Sequence, residues 1–332
     1  MKFFRNIYNK IVDNKIVTNF TQRFLPDCLI LYYHDVVTDA QFEKIVGPNR
    51  HLVVKESEFL KQISFLKDNY EVISIREVGN IIKSSKPKIC ITFDDGYKNN
   101  IQLVYPIIEK NKINITIYLI TRILEGDSWV WWFELWDIIK KNNSIKFFYN
   151  SKNYQFSCSN IYEKNKVFYE VKNIIYKLSL NNQKKILARI SGKKIRPQYE
   201  NFFLNKHDIK SMDYSFVNFG SHGHSHLNYK FSSKKEILDD IIRSQIVLKK
   251  IFKKDTYDFA YPYGSLKEVS LENTKFISSY FETAVSTDQN ICVNKRKEFL
   301  PRISIGPNIS ISDFKSKIIG TEFLIKNFFN KQ

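Results

Sequence analysis

Short apolar, β-rich runs recur along this chain with helical patterns between most of them, and no other feature constrains the fold as tightly. The runs cover residues 28–33, 71–75, 88–93, 114–120, 216–220, 257–261 and 282–286. Helical spacing of apolar residues covers 57–69, 76–83, 98–111, 233–253 and 266–279. The 233–253 pattern is the clearest. Ser233 and Glu236 stand three apart, the spacing of a capping box, in which two side chains satisfy orphan backbone N–H groups reciprocally. Ile237, Leu238, Ile241, Ile242, Leu248, Ile251 and Phe252 then supply an apolar face. Strands alternating with helices in this way predict an α/β protein with a largely parallel sheet, open or closed into a barrel.

One stretch breaks the rhythm. Residues 123–205 hold no β-α repeat, and all four tryptophans, Trp129, Trp131, Trp132 and Trp136, lie near its start. Aromatic and Lys-rich helical stretches follow. The segment reads as an insertion over one face of the main domain. Its plain role is a cap with a Trp-rich core. Its functional role would be substrate recognition, because aromatic rings suit sugar faces and lipid headgroup regions.

Composition narrows the class. A chain of 332 residues that is 43% hydrophobic is long and apolar enough to bury a core, which excludes a disulfide-stapled miniprotein and a disordered tail. Lys and Arg number 52 against 34 Asp and Glu, a net charge of +18 that favours anionic partners. No helix-turn-helix, zinc-finger or RNA-binding signature accompanies the charge, so nucleic acid is not expected. Cys28, Cys90, Cys158 and Cys292 are scattered without a C-x-x-C pair and read as reduced thiols of a cytosolic protein.

The ends pose a separate question. In residues 1–26, Phe3, Phe4, Ile7, Tyr8, Ile11 and Val12 fall at helical spacing with Lys2, Arg5 and Lys10 between them, and Pro26 closes the pattern. Such a basic amphipathic helix either packs on the domain or lies on an anionic membrane surface. Residues 323–329 raise the same question more weakly. Asn6, Asn9, Lys10 and Asp13 break any secretory core, and no apolar run approaches the ~20 residues of a spanning helix. The expected location is cytoplasmic, or peripheral on the inner membrane face. The expected organisation is a helix over 1–26, a main domain over 27–310 interrupted at 123–205, and a helical tail over 311–332.

Three segments carry chemistry. In Ile89-Cys90-Ile91-Thr92-Phe93-Asp94-Asp95-Gly96-Tyr97 an apolar strand ends in two carboxylates. Sites in α/β folds form at the carboxyl ends of strands, and neighbouring Asp residues on an extended chain point different ways, so one can bind a metal while the other handles a proton. The plainer reading is an ordinary Asp-Gly turn. In Phe219-Gly220-Ser221-His222-Gly223-His224-Ser225-His226, three of the chain's six histidines fall within five residues. The i, i+4 spacing of His222 and His226 brings both imidazoles to one side of a helical turn, a metal-ligand spacing. Two His and one carboxylate make an open three-ligand site, in which a metal lowers the pKa of bound water to roughly 7 and polarises a carbonyl. Phe259-Ala260-Tyr261-Pro262-Tyr263-Gly264 sets a rigid turn where a backbone N–H could stabilise an oxyanion.

In this order the three segments resemble the motifs of the polysaccharide deacetylase family, which carries the NodB-like homology domain of carbohydrate esterase family 4. The likeness runs over about 28–305 apart from the insertion. It implies a distorted (β/α)7 barrel and metal-dependent removal of an N-acetyl group from an amino sugar. Carried over by position, it implies Asp94 as general base and Asp95, His222 and His226 as ligands of a divalent metal. Zinc comes first, with cobalt, nickel, manganese and iron each able to fill such a site. It implies the Tyr263 N–H as oxyanion donor and leaves His224 without a role.

The chain departs from the family twice. Many members carry a basic residue early in the third motif that orients the base. Here Phe259-Ala260 stands there, and Arg302, in Leu300-Pro301-Arg302-Ile303, is the expected substitute. The usual C-terminal Leu-x-His that donates the acid His is absent, since no His follows His226. His34, in Tyr32-Tyr33-His34-Asp35 at the end of the first strand, resembles the acid of members whose His comes from the start of the domain, and is the expected general acid. The function expected is deacetylation of an amino sugar in surface-glycan assembly. The alternatives are deformylation or deacetylation of a sugar on a polyprenyl phosphate carrier, and a glycan-binding module that has lost the chemistry.

Overall fold

The computed structural model describes residues 14, 21, 26–78, 86–192, 197–254, 257–288 and 298–320. Most of the amphipathic 1–26 segment, Cys292 and residues 323–329 lie outside the described residues, as does most of the 76–83 pattern. Strands follow in chain order: β1 (Cys28–Tyr33), β2 (Asp35–Val37), β3 (Val53–Lys55), β4 (Glu71–Val72), β5 (Lys88–Phe93), β6 (Ile115–Leu119), β7 (Ser144–Tyr149), β8 (Lys152–Ser157), β9 (Val217–Ser221), β10 (Phe259–Ala260), β11 (Ala284–Val285) and β12 (Ile303–Ser304).

The main sheet runs β11-β10-β9-β6-β5-β1-β12, with β4 added beside β5, and every pairing in it is parallel. Its two edges meet. Val285 of β11 bridges Leu300 in parallel, and Leu300 leads straight into β12. Among the described residues, seven parallel strands therefore curl into a distorted barrel, the (β/α)7 architecture that the family resemblance implies, and the strand alternation matches its parallel sheet. β1 and β5 are buried along all six residues because helices cover one face and the barrel interior the other. Their side chains alternate: Leu29, Leu31, Tyr33, Ile89, Ile91 and Phe93 join the core under the helices, while Cys28, Ile30 and Cys90 join Tyr118, Ala260, Val285 and Leu300 inside. Cys28, Cys90 and Cys158 are unbridged.

The long helix runs Lys234–Phe252 with the Ser233–Glu236 capping box formed at its start. Its buried face is Ile237, Asp240, Ile241, Ser244, Val247 and Leu248, whereas Ile242 is exposed. Elsewhere the elements are shorter than the patterns. The 71–75 run pairs only over Glu71–Val72, because Ser74 and Glu77 cap a tight turn at Ile75–Glu77. The 98–111 pattern opens with a wide turn, Asn100–Val104, before the α-helix Tyr105–Asn111, since Pro106 offers no N–H to a regular ladder. The 266–279 pattern breaks in two at Ser270, whose φ is 70° and whose side chain caps Leu271–Ser278.

The insertion builds a second core. Helix Trp131–Lys141 packs with helices Ile161–Ile175 and Leu180–Ser191 around Trp129, Leu135, Phe168, Val171 and Leu187. It also holds an antiparallel hairpin, β7–β8, where only helical stretches are expected from the sequence. Its strands alternate buried Ile145 and Phe147 with exposed neighbours, and both turn residues, Asn150 and Ser151, have positive φ. Among the described residues, no helix is long and apolar enough to cross a membrane.

Candidate active site

Three loops leave the carboxyl ends of β5, β9 and β10 and converge. Each takes a left-handed turn at a residue other than glycine: Asp95 (φ 70°), His226 (φ 55°) and Tyr263 (φ 60°). Such conformations carry strain and persist only where surrounding contacts enforce them. The turn at Asp95 is what sends the two carboxylates apart, so their divergence comes from a turn and not from extended chain.

Asp95, His222 and His226 offer ligand atoms that all lie within 4.8 Å of one another, and all three side chains are buried. Nε2 of His222 and Nε2 of His226 each stand 3.5 Å from Oδ1 of Asp95. That Oδ1 has no hydrogen-bond partner among the described residues. Nδ1–H of His222 donates to the Ala260 carbonyl at 2.7 Å, which leaves the lone pair of Nε2 facing Asp95. Burial pushes Asp95 up to about 8, with the Asp94 charge adding to the rise and a Tyr97 hydrogen bond opposing it. Burial lowers both imidazoles, so they are neutral donors. Two neutral nitrogens around a stranded carboxylate oxygen fit a divalent cation of the zinc class.

Asp94, one residue away, is fully engaged. Arg302 clamps it with both terminal nitrogens at 2.7 Å, while the same guanidinium donates to Thr92 Oγ1 at 3.0 Å and to the Ser286 carbonyl at 2.8 Å. Arg302 is 1% exposed and lies over the Tyr32 ring, 4.6 Å from its centroid. Burial alone would raise the Asp94 carboxyl, but the Arg302 charge overrides it and holds it down to about 2. Tyr33 accepts from the Asp94 N–H at 2.9 Å, which seats Asp94 at the end of β1 next to His34. Burial lowers His34 to about 4, the Asp94 charge working against it.

The Tyr263 ring packs 4.8 Å from the His226 ring, and Trp131 Nε1–H donates to its hydroxyl at 3.1 Å. The Tyr263 N–H has no hydrogen-bond partner among the described residues. The insertion thus reaches the site: Trp131 holds Tyr263, and the Trp132 ring lies 5.1 Å from His226. His224 points away, within hydrogen-bond distance of Thr121 Oγ1 (3.1 Å).

The spacing of His222 and His226 does not place them on a helical turn. Residues 222–226 form an irregular loop after β9. It wraps a buried carboxylate: Asp240 accepts from the N–H groups of His224 (2.9 Å) and Ser225 (2.8 Å) and from the Tyr229 hydroxyl (2.8 Å). Gly223 is left-handed at φ 74°, and a Cβ there would sit 2.7 Å from Asp240 Oδ2. Asp240 is a positioning residue that sequence reasoning missed. Its signal is an acid at position i+3 from Ile237, on the apolar face of the helix.

A parallel barrel with a buried Asp-His-His cluster at its strand ends is an α/β scaffold that carries a candidate metal site. A family model described as polysaccharide deacetylase matches residues 82–278. That is more than half of the chain, and the chain belongs to the polysaccharide deacetylase family. YxkH of Bacillus subtilis (strain 168), whose name assigns it to the polysaccharide deacetylases, is 31% identical over 96 residues, 27% of this chain and 31% of YxkH. The match thus spans under a third of that relative's length. Among solved structures, BC0361, a polysaccharide deacetylase from Bacillus cereus, aligns with a TM-score of 0.55 at 18% identity, over 88% of this chain and 68% of that one. The Streptococcus pyogenes deacetylase PplD, solved in complex with acetate, aligns with a TM-score of 0.55 at 18% identity, over 87% of this chain and 97% of PplD.

Proposed function

We propose that the protein hydrolyses the N-acyl group of an amino sugar in a glycan, using a divalent cation held by Asp95, His222 and His226. One observation carries the reading: a fully clamped carboxylate, Asp94, adjoins a stranded one, Asp95, that faces two neutral imidazoles. Zinc is the first candidate for the cation. When bound it would supply Lewis-acid polarisation of the acyl carbonyl and activation of a water.

The chain's own residues would do the rest. Arg302 fixes the plane of the Asp94 carboxylate and keeps it ionised at neutral pH, so it is ready to accept a proton from the attacking water. A base held this low gives the proton up again readily. His34 is close enough to feel the Asp94 charge. It is neutral at rest and would gain a proton within the cycle and deliver it to the leaving nitrogen. The Tyr263 N–H would donate to the oxygen that becomes negative in the tetrahedral intermediate. Trp131 and Trp132 would wall the His226 side of the site. Arg302, bonded to both Asp94 oxygens, would supply the basic partner that the third motif lacks, and His34 would take the acid role of the missing C-terminal His. Both weigh against a module that has lost its chemistry.

A net charge of +18 suits a substrate carried on a lipid phosphate during surface-glycan assembly. The test is mass spectrometry of lipid-linked and surface glycans from cells expressing wild type or Asp94→Asn. The mutant is expected to accumulate a glycan heavier by one acyl group per repeat, and the mass tells acetyl from formyl. Identical glycans with the protein present would overturn the reading.

A further inference from the structure

A single apolar side chain on a surface is ordinary, but several on segments tied to one another mark a contact surface. Phe231, Leu266 and Leu271 are 43%, 42% and 59% exposed. They stand on two segments, 228–231 and 265–273, that are bonded together. The Lys230 N–H donates to the Glu268 carbonyl at 3.0 Å, the Lys230 ammonium to the Lys267 carbonyl at 2.7 Å, and the Asn273 amide to the Tyr229 carbonyl at 2.8 Å. Ser270, at φ 70°, ends the short helix Leu266–Val269 and caps the next, which leaves Leu271 at a first helical position with its side chain in solvent. The insertion supplies a third segment. The Tyr176 ring meets the Phe231 ring at 6.0 Å, and the Lys177 ammonium lies 5.6 Å from the centroids of both. The Lys230 ammonium lies 5.7 Å from the Phe231 ring.

Charge favours one occupant. Lys177, Lys230 and Lys267 are exposed, and among the described residues none has a carboxylate partner. The acids on these segments are engaged: Glu268 accepts from the Asn228 amide at 2.8 Å, and Glu272 pairs with Lys234 at 2.6 Å. Apolar tips set among unpaired ammonium groups match an anionic lipid surface, whose phosphates meet the lysines while its acyl boundary takes the tips. A soluble polyanion would use the lysines and leave Leu266 and Leu271 in water. The net charge of +18 draws the whole chain towards the same surface. Ring contacts connect the patch to the candidate active site: Tyr176 stands 5.8 Å from Tyr263, and Tyr263 4.8 Å from His226.

We propose that Phe231, Leu266 and Leu271, with Lys177, Lys230 and Lys267, form a docking surface for an anionic bilayer, which brings the Tyr263 side of the site against the lipid headgroups. The surface stands on the contacts above. Its use, to meet an N-acyl sugar carried on a lipid phosphate, rests on the deacylase reading.

The test is flotation of the full chain with vesicles of phosphatidylcholine alone and of phosphatidylcholine with phosphatidylglycerol, at about 0.1 M salt. Binding is expected to the anionic vesicles and not to the neutral ones. Lys177→Gln with Lys267→Gln should weaken it by about 25-fold, about fivefold for each lysine lost. Leu266→Ser with Leu271→Ser should weaken it by about tenfold or more. All four side chains are exposed, so both double variants should keep the fold, which circular dichroism checks. A wild type that ignores the anionic vesicles, or binding that both variants retain, overturns the surface. Loss in the lysine variant alone points to a polyanion site and overturns the bilayer, as does loss in the leucine variant alone with equal binding to neutral vesicles. Acetate release from a soluble N-acetylated oligosaccharide, assayed alongside, separates the two readings. Release without vesicle binding sinks the docking surface alone. Vesicle binding that needs both pairs, without release by the wild type, sinks the deacylase reading alone.

Discussion

Asp94 and Asp95 are chain neighbours at the end of one strand, yet they belong to two differently built halves of the site. Around Asp94 both carboxylate oxygens are taken: Arg302 holds them and also donates to Thr92 and Ser286. Around Asp95 an oxygen is left over, flanked by two imidazoles at 3.5 Å. The same burial therefore has opposite consequences, one carboxyl at about 2 and the other at about 8. The contrast lies in where the positive charge comes from. The fold carries its own cation to Asp94, as Arg302. Nothing among the described residues plays that part for Asp95, whose partners are neutral donors suited to a cation from solution.

The largest effects should separate the halves cleanly. His226→Ala is expected to abolish metal binding and to cut turnover by about 1,000-fold or more, since removing one of three ligands leaves two. Asp94→Asn should cut turnover by roughly 100- to 10,000-fold while metal content stays at wild-type level. Metal analysis beside acetate release reads both. If Asp94→Asn emptied the site, or His226→Ala left it loaded, the division between the halves would collapse.

Arg302→Ala probes the clamped half next. It strands a buried carboxylate, which costs about 3–5 kcal/mol. Urea denaturation should show that loss, and Arg302→Lys should recover only part of it, because an ammonium cannot reproduce the bidentate clamp. An Arg302→Ala protein as stable as wild type would mean that Asp94 is stabilised by something other than its guanidinium partner.

The two halves also differ in how far the sequence revealed them. The strands were readable because β1 and β5 are buried on both faces and so appear as unbroken apolar runs. The motifs were readable because each follows such a run. Arg302 stood out as a lone basic residue next to one, and the structure places its guanidinium on Asp94. The geometry of the His loop was not readable. Its spacing imitates a helical turn, while its conformation depends on Asp240, an acid that on a surface helix normally means a solvated side chain. The insertion was legible as an insertion but not in detail. Its hairpin turns at Asn150-Ser151 without a glycine, and its core depends on which aromatic rings meet, for which sequence periodicity is silent.

Asp240 is thus the place to test whether the open half is positioned as deliberately as the clamped one. Its two oxygens accept three donors, two of them N–H groups of the loop between His222 and His226. Asp240→Asn keeps the volume but turns one acceptor into a donor facing another donor. The loop should loosen at a stability cost of about 1–3 kcal/mol, and metal affinity should fall by roughly 10- to 100-fold. Neither oxygen of Asp240 is bonded to a residue assigned to the reaction itself, so the deficit should appear in the metal dissociation constant and be recovered in turnover at saturating metal. A variant with unaltered metal affinity would show that Asp240 does not position the ligand loop. The left-handed His226 would then owe its place to Trp132 and Tyr263, whose rings lie 5.1 and 4.8 Å away, and the insertion and the β10 loop rather than the barrel helix would be what aims the ligand.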